Sequence, residues 1–457
     1  MIRARLKPGK STLEFITRRV VFVLLVVSVI LGLTTGGVLF IRISYLWGII
    51  LLASWLWLSG ASRGLSLRRS IRASRAQVGQ VFEEQFDILN ASRFPVFWLE
   101  LRDESPLPGS QGGYVLNLIK GKDIRSFLLR TRLYQRGVFQ LGPISLAYGD
   151  IFGLFRGNRK IAARSTLVVY PPLFSINNFP APPGLLPGGE ALRRQTHQIT
   201  PNAAGVREVF PGDPLNRIHW LSTARRNRFM VKEFELDPLA DVWIFIDSDS
   251  NAQASLPLSN LHEDGDNFWD WLPLLELPAF TEPFTTTELR GERKHISLAP
   301  STVEYSVSIS ASLAHYFLKQ GRAVGLVSLA RTLTFLPADR SGRQLGKILE
   351  ALALLDADGD LPLRSWVEKE ARHLSRGSIV TMVTPSDQSD LPFLADRLNH
   401  MGIKPVLILL DASSFGRPRG SDEIYKKVKY LGIPIYRVAN GDNLTSILSA
   451  GSGEVYA

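Results

Sequence analysis

Five consecutive residues, Asp247-Ser248-Asp249-Ser250-Asn251, carry oxygen-bearing side chains and directly follow the apolar run VWIFI (Val242 to Ile246). Carboxylate, hydroxyl and carboxamide oxygens are hard donors, the set suited to a divalent cation such as Mg²⁺, Mn²⁺ or Ca²⁺. The same spacing allows a second chemistry. In a metal-dependent phosphohydrolase, the first Asp of a strand-Asp-x-Asp pattern is the nucleophile and the second the general acid/base. Asp247 and Asp249 stand in those positions, Ser328 supplies a later hydroxyl, and Asp411 is a lone acid where that chemistry wants a pair. A third reading is a solvated loop that caps the next segment, in a structural protein whose site holds nothing.

Such a loop acts only if a scaffold positions it. From residue 241 to 457 the sequence alternates short apolar runs with amphipathic ones. Strands are expected at Val242 to Ile246, Ala323 to Ser328, Ser378 to Thr384, Val406 to Asp411 and Pro434 to Val438. Helices are expected at Glu304 to Gln320, Gly342 to Leu355, Leu391 to Met401 and Glu423 to Leu431. Alternation of this kind predicts an α/β fold, a doubly wound, mostly parallel sheet covered on both faces. Ligands of such sheets bind at the carboxyl ends of the strands, where the Asp247 loop would stand. An aromatic and acidic insert, 252–301, interrupts the pattern after the first strand.

Ahead of this domain lies a junction, 205–240, with a second cluster of polar residues. Asp213 and Pro214 suit the N-cap and first position of a helix running to about Arg226. Phe229 to Phe234 reads as a strand. Arg217, Arg225, Arg226 and Arg228 form a basic group that is either an internal ion-pair junction or a docking surface. His219 reads as an orienting or core residue. A Pro/Gly-rich linker, 171–204, precedes the junction and argues against regular structure there. Upstream, 76–170 carries short β-branched and aromatic runs separated by turn residues, the pattern of a small antiparallel β domain resembling a sandwich.

The first 75 residues hold twelve Lys/Arg against Glu14 alone, whereas the rest of the chain balances at forty-one of each sign. The net charge of +11 is therefore no sign of a nucleic-acid partner. It flanks two uncharged runs, residues 20–41 and 43–62, separated by Arg42. Each is long enough to cross a bilayer as a helix. Basic residues before the first run and after the second predict a hairpin with both ends in the cytoplasm. The chain has no cysteine, in keeping with a reducing compartment.

At the junction the chain resembles a known family. Arg207, Gly212, Asp213, Arg217, Ile218, Trp220, Ala224 and Arg225 fit the hallmark of the bacterial "domain of unknown function 58" family, with Phe210 near its usual Tyr. The stretch RGVFQLGPISLAYGDIFGLF (Arg136 to Phe155) resembles another of its motifs, with Ile151 in place of Pro. The Asp247 loop is similar to the metal-ion-dependent adhesion site of von Willebrand factor A domains. That pattern places hydroxyl residues where Asp249 and Asn251 stand, and Thr-Asp-Gly where Thr384-Pro385-Ser386-Asp387 stands. The resemblance implies a von Willebrand A-like domain on the cytoplasmic face of a bacterial inner membrane. It also implies a non-enzymatic adaptor or scaffold that partners a MoxR-type AAA+ ATPase in protein assembly or maturation. In keeping with this, the chain has no Gly-x-x-x-x-Gly-Lys-Ser/Thr loop, so ATP-driven work would belong to the partner.

Overall fold

The computed structural model describes residues 10–109, 113–179, 203–210, 218–234, 240–257, 298–418 and 421–449. The chain divides into two compact units, Met1–Pro172 and Leu173–Ala457.

The first unit opens with two long helices, α1 (Lys10–Thr35) and α2 (Val38–Arg63). The turn between them falls at Gly36-Gly37, not at Arg42, which lies inside α2. Gly36 sits at φ +63, a conformation that costs a glycine little, whereas a single Arg has good helix propensity and breaks nothing. Both helices are long and apolar enough to cross a membrane. Val20, Phe22, Ile30, Leu39, Ile49 and Trp55 all stay exposed, so neither is the core helix of a globular domain.

Ten strands follow: β1 (Leu65–Ile71), β2 (Arg75–Gln77), β3 (Val81–Asn90), β4 (Val96–Asp103), β5 (Gly113–Ile119), β6 (Asp123–Arg132), β7 (Gly137–Leu141), β8 (Ile144–Gly149), β9 (Arg156–Ile161) and β10 (Ser165–Tyr170). They form three small sheets, ordered β1-β3-β6, β5-β4-β8-β9 and β2-β10-β7. The first two are antiparallel throughout, and in the third β10 runs parallel to β2. Phe86, Ile88, Leu99, Leu101, Ile119 and Leu146 fill the main core, joined by Leu65 and by Ala61 of α2.

The β region thus begins at Leu65, inside the stretch expected to be a basic flank. Leu65, Leu67 and Arg69 share the inward face of β1 at a strand's period of two. Arg69 is accepted there because Glu84 and Asp103, both buried, pair with its guanidinium. Burial raises the pKa of the Glu84 carboxyl, and the attraction of Arg69 only partly offsets it.

The second unit contains β11 (Ala203–Glu208), α3 (Trp220–Arg226), β12 (Met230–Phe234), β13 (Val242–Ile246), α4 (Thr302–Lys319), β14 (Val324–Leu329), β15 (Leu333–Asp339), α5 (Gln344–Ala353), α6 (Leu363–Ala371), β16 (Ile379–Thr384), α7 (Leu391–His400), β17 (Lys404–Leu410), α8 (Asp422–Tyr430), β18 (Ile435–Val438) and α9 (Leu444–Ser449). Six of its strands make one mixed sheet, ordered β15-β14-β13-β16-β17-β18. Neighbours are parallel except β15, which returns antiparallel on the edge. All five residues of β13 and all six of β16 are buried, as strands covered on both faces must be. Phe245 stacks on Trp366 of α6, and with Trp243 it belongs to a core that also takes in Leu394 of α7 and Ile424 of α8. α4 packs on β13, β14, β16 and β17.

Of the expected linker, residues 173–179 are irregular yet packed, while residues 203 and 204 already belong to β11. Phe179 is buried and stacks on Tyr436 with ring centroids 5.0 Å apart. Its N–H donates to the Tyr316 hydroxyl at 3.0 Å. The interior of the insert, 258–297, lies outside the described residues. Its two ends are clamped together: Ser255 bridges Ser301, and the Leu256 N–H donates to the Pro300 carbonyl at 2.9 Å.

Candidate functional site

The sheet changes direction at β13. The chain runs outward through β14 and β15, then crosses back to β16 on the other side of β13. The strand order therefore reverses between β13 and β16, and the crevice at their carboxyl ends is the expected ligand position of an open α/β sheet. Asp247 ends one strand and Thr384 the other, and they meet: the Thr384 hydroxyl donates to Asp247 Oδ2 at 2.6 Å. Asp247 Oδ1 accepts the Asp249 N–H at 3.1 Å. Thr384 Oγ1 in turn accepts the Ser386 N–H at 2.9 Å. Asp247 is 2 % exposed. Burial pushes its carboxyl pKa up to about 6, against the pull of the Thr384 and Asp249 hydrogen bonds and with a smaller push from the Asp249 charge.

The rest of the loop is pinned to its neighbours. Ser248 is buried, and its hydroxyl lies 2.7 Å from that of Ser328, which also donates to the Ile246 carbonyl at 3.2 Å. Asp249 is buried and bridges Gly359 in parallel register. The Gly359 N–H donates to Ser248 O, and the Ser250 N–H to Gly359 O, each at 2.9 Å. A Cβ on Gly359 would lie 2.7 Å from the Leu329 carbonyl oxygen and 2.9 Å from that of Ser248. Ser250 and Asn251 face solvent, and the Asn251 amide folds back onto Asp249 Oδ1.

The five expected cation ligands therefore divide. Asp247, Ser248 and Asp249 are buried and bonded to the protein, while Ser250 and Asn251 lie outside. As arranged, both carboxylate oxygens of Asp247 are taken by protein donors and the loop does not present a divalent cation's shell; among the described residues no three His, Cys, Asp or Glu side chains gather. Ser328 and Asp411, the other groups a phosphohydrolase would use, are also committed. Asp411 Oδ2 pairs with Arg437 at 2.7 Å, and Oδ1 accepts from the Ser413 hydroxyl at 2.8 Å. Burial tends to raise the Asp411 pKa, but the bonds to Ser413 and Arg437 outweigh it and hold the group below its ordinary value.

At the junction, β11 and β12 form a hairpin-like pair in which Arg207 stands opposite Val231. Among the described residues the helix begins at Trp220, and Ile218 just before it is extended and bridges Val231; the expected start at Asp213 and Pro214 lies outside the described residues. His219 is the N-cap: its Nδ1 accepts the Ser222 N–H at 3.2 Å and lies 2.7 Å from the Ser222 hydroxyl. That is an orienting role. Gly212, Asp213 and Arg217 lie outside the described residues. Trp220 is exposed, Arg225 and Arg226 occupy the last turn of α3 where cations suit the helix dipole, and Arg228 pairs with Glu208 at 2.8 Å.

Of the contributors to the carboxyl-end cluster, Thr384 stands where the adhesion-site resemblance wants a Thr, whereas Gly359 could not be paired with Asp247 from sequence alone. Thr384 closes a strand in the same manner as Asp247, which is a signal of position. Gly359, within Asp356-Ala357-Asp358-Gly359-Asp360, reads as an ordinary turn.

No protein-family model matches the chain. Over 266 residues it is 23 % identical to the uncharacterized protein YeaD of Bacillus subtilis (strain 168), a match that takes in 57 % of this chain. That match spans 54 % of the relative's own length. Among solved structures, the CARDB domain of a Pyrococcus furiosus protein aligns with 23 % of this chain and 93 % of its own, at 14 % identity and a TM-score of 0.18. Proximal thread matrix protein 1 of the mussel byssus aligns over 46 % of each chain, at 10 % identity and a TM-score of 0.27. Scores this low carry no argument about fold or function.

Proposed function

We propose that this protein is a membrane-anchored, non-enzymatic adaptor of the "domain of unknown function 58" type. In this reading the second unit is a von Willebrand A-like domain that docks a protein partner. α1 and α2 are the anchor, their basic flanks hold both ends in the cytoplasm of a bacterial cell, and a MoxR-type AAA+ ATPase is the partner that the family resemblance suggests.

The observation that carries the choice of binding over catalysis is the state of the switch-point crevice. An attacking carboxylate must be reachable and aligned with its substrate. Asp247 is buried and holds β13 to β16 through Thr384. Ser328 and Asp411 are likewise tied into the fold. The polar residues at this end brace a rigid platform, and a rigid scaffold carrying exposed loops is the usual arrangement of a recognition surface.

The test is co-purification of the tagged full chain from crosslinked, detergent-solubilised membranes, followed by mass spectrometry. We expect a stoichiometric ATPase partner, lost when the second unit is deleted. Phosphatase activity that disappears in Asp247→Asn would sink the adaptor reading. A carboxyl-terminal reporter that is active only outside the cytoplasm would sink the topology.

A further inference from the structure

The last turns of α2 are built into the β domain. Trp57 Nε1 donates to the Pro95 carbonyl at 3.1 Å, and its ring lies 5.4 Å from that of Phe94 and 5.5 Å from that of Phe97. Leu58 and Ala61 join the core around Phe86, Leu99 and Ile119. The Ala91 N–H donates to Gly64 O at 2.8 Å, and a Cβ on Gly60 would lie 2.6 Å from the Phe94 ring. β1 starts at Leu65, so no linker separates helix from domain. If α2 crosses a bilayer, its hydrocarbon stretch must end near Trp57. The turn between β3 and β4 then lies at the level of the headgroups.

A second turn stands beside the first. The Asn90 amide donates to Phe94 O at 2.9 Å and to Lys120 O at 3.1 Å, and the Lys122 N–H donates to Ser92 O at 2.9 Å. These bonds fuse the β3–β4 and β5–β6 turns into one surface around the root of α2. Arg63, Arg93, Lys120 and Lys122 are exposed on it, and Phe94 and Leu118 are exposed among them. The acid in these turns, Asp123, accepts the N–H of its neighbour Ile124. Basic side chains with interleaved apolar ones are the composition an interfacial surface needs: charge for the phosphates and apolar tips for the acyl boundary.

We propose that this double turn is a binding surface for the anionic phospholipid headgroups surrounding α2. The proposal rests on the membrane-anchor reading. Charge complementarity and direct continuity with the apolar surface of α2 select a bilayer over a free anion or a soluble partner. The surface would hold the β domain down on the leaflet, so that α2 could not tilt independently of it.

The absence of cysteine makes the test clean. Full-length chain with Leu118→Cys, labelled with an environment-sensitive fluorophore, is placed in nanodiscs of phosphatidylcholine with and without phosphatidylglycerol. Val81→Cys is the control, since Val81 is exposed at the opposite end of the ten-residue strand β3, roughly 30 Å from Asn90. We expect a lipid-like spectrum at Leu118 and a water-like one at Val81. Phosphatidylglycerol should be enriched around the chain. Arg93→Gln, Lys120→Gln and Lys122→Gln should each weaken that enrichment about fivefold, while Lys120→Arg and Lys122→Arg keep it. A Leu118 label as wet as Val81, an enrichment indifferent to the three Gln variants, or displacement of the label by inorganic phosphate would overturn the proposal. A chain that enters nanodiscs but keeps a wet Leu118 defeats this inference alone. A chain that cannot enter them defeats the anchor reading as well.

Discussion

Asp247→Asn is the perturbation that separates a brace from a reactive acid. In the folded chain Asp247 ionises near pH 6, against 3.8 for a free carboxyl. Across that window the folded chain keeps a proton that the unfolded chain has released. Stability therefore falls as pH rises from about 4 to 6, and this contribution stays lost above pH 6. A gap of about two pH units corresponds to ~3 kcal/mol. The group is 2 % exposed, so solvent screening removes little of it. Asn is nearly isosteric and cannot ionise, and its carbonyl can still accept the Asp249 N–H. Asp247→Asn should thus be more stable than wild type at pH 7 by up to ~3 kcal/mol, less whatever its amide loses against Thr384. At pH 4.5 the gap should narrow to ~1 kcal/mol, and it should close below about pH 3.8. The assay is hydrogen exchange of the β13 amides in the full chain, with chelator present and intrinsic rates corrected for pH. The difference between the two proteins isolates this group from other carboxylates. A wild-type chain whose β13 protection follows that of the Asn variant across pH 4.5 to 7 would refute the reasoning. So would a variant that is less stable at pH 7, because the charge would then be supported by something other than Thr384 and Asp249.

Three further outcomes follow from the same structure. Gly359→Ala would press a Cβ onto two carbonyl oxygens, Leu329 at 2.7 Å and Ser248 at 2.9 Å; overpacking of this kind should cost ~1–3 kcal/mol, read as a lower melting temperature and faster exchange in β13. Arg69→Met leaves Glu84 and Asp103 buried without their cation and should cost ~3–5 kcal/mol. The loss should be smaller at low pH, where a protonated Glu84 needs no partner, and denaturant melts at pH 5 and 8 would check this. Titration calorimetry of the full chain with Mg²⁺, Mn²⁺ or Ca²⁺ should give no heat that depends on Asp247, and an isotherm abolished by Asp247→Asn would restore the cation site.

The sequence carried the second unit's sheet further than its site. Val242 to Ile246, Ser378 to Thr384 and Val406 to Asp411 were legible as strands because strands buried on both faces are continuously apolar. β15 was not, since its exposed and half-buried alternation, LTFLPAD, includes a proline and resembles a loop; only an edge strand tolerates that. α6 is not legible in the sequence, because LRSWVEKEA buries just Leu363, Trp366, Val367 and Ala371, a stripe too short to announce a period. In the first unit, β1 was hidden by Arg68 and Arg69. Charge suggested a membrane flank, and the partners that make a buried arginine tolerable, Glu84 and Asp103, are 15 and 34 residues away. The hairpin turns at Gly36 and not at Arg42, because backbone freedom decides a turn where a lone charge does not.

For the site, the list of oxygen atoms was readable and their direction was not. Asp247-Ser248-Asp249-Ser250-Asn251 looks like a ligand set while it is a string. In three dimensions it is pulled apart by partners from three other places: Ser328 takes Ser248, Gly359 takes the backbone around Asp249, and Thr384 takes Asp247. Each partner lies on a different sheet neighbour or connection: Ser328 and Thr384 are legible as hydroxyls belonging with the loop, but which loop residue each takes, and the part Gly359 plays, depend on the strand order. The same order explains why the cluster is there. β13 and β16 are sequence-distant strands brought together by the crossover, and the chain leaves their carboxyl ends toward opposite sides of the pair, to β14 and to β17. A carboxyl–hydroxyl pair there joins the two halves of the sheet, and burial leaves that carboxyl holding its proton to about pH 6. The outward-facing residues of the loop, Ser250 and Asn251, remain available to whatever approaches this end of the domain.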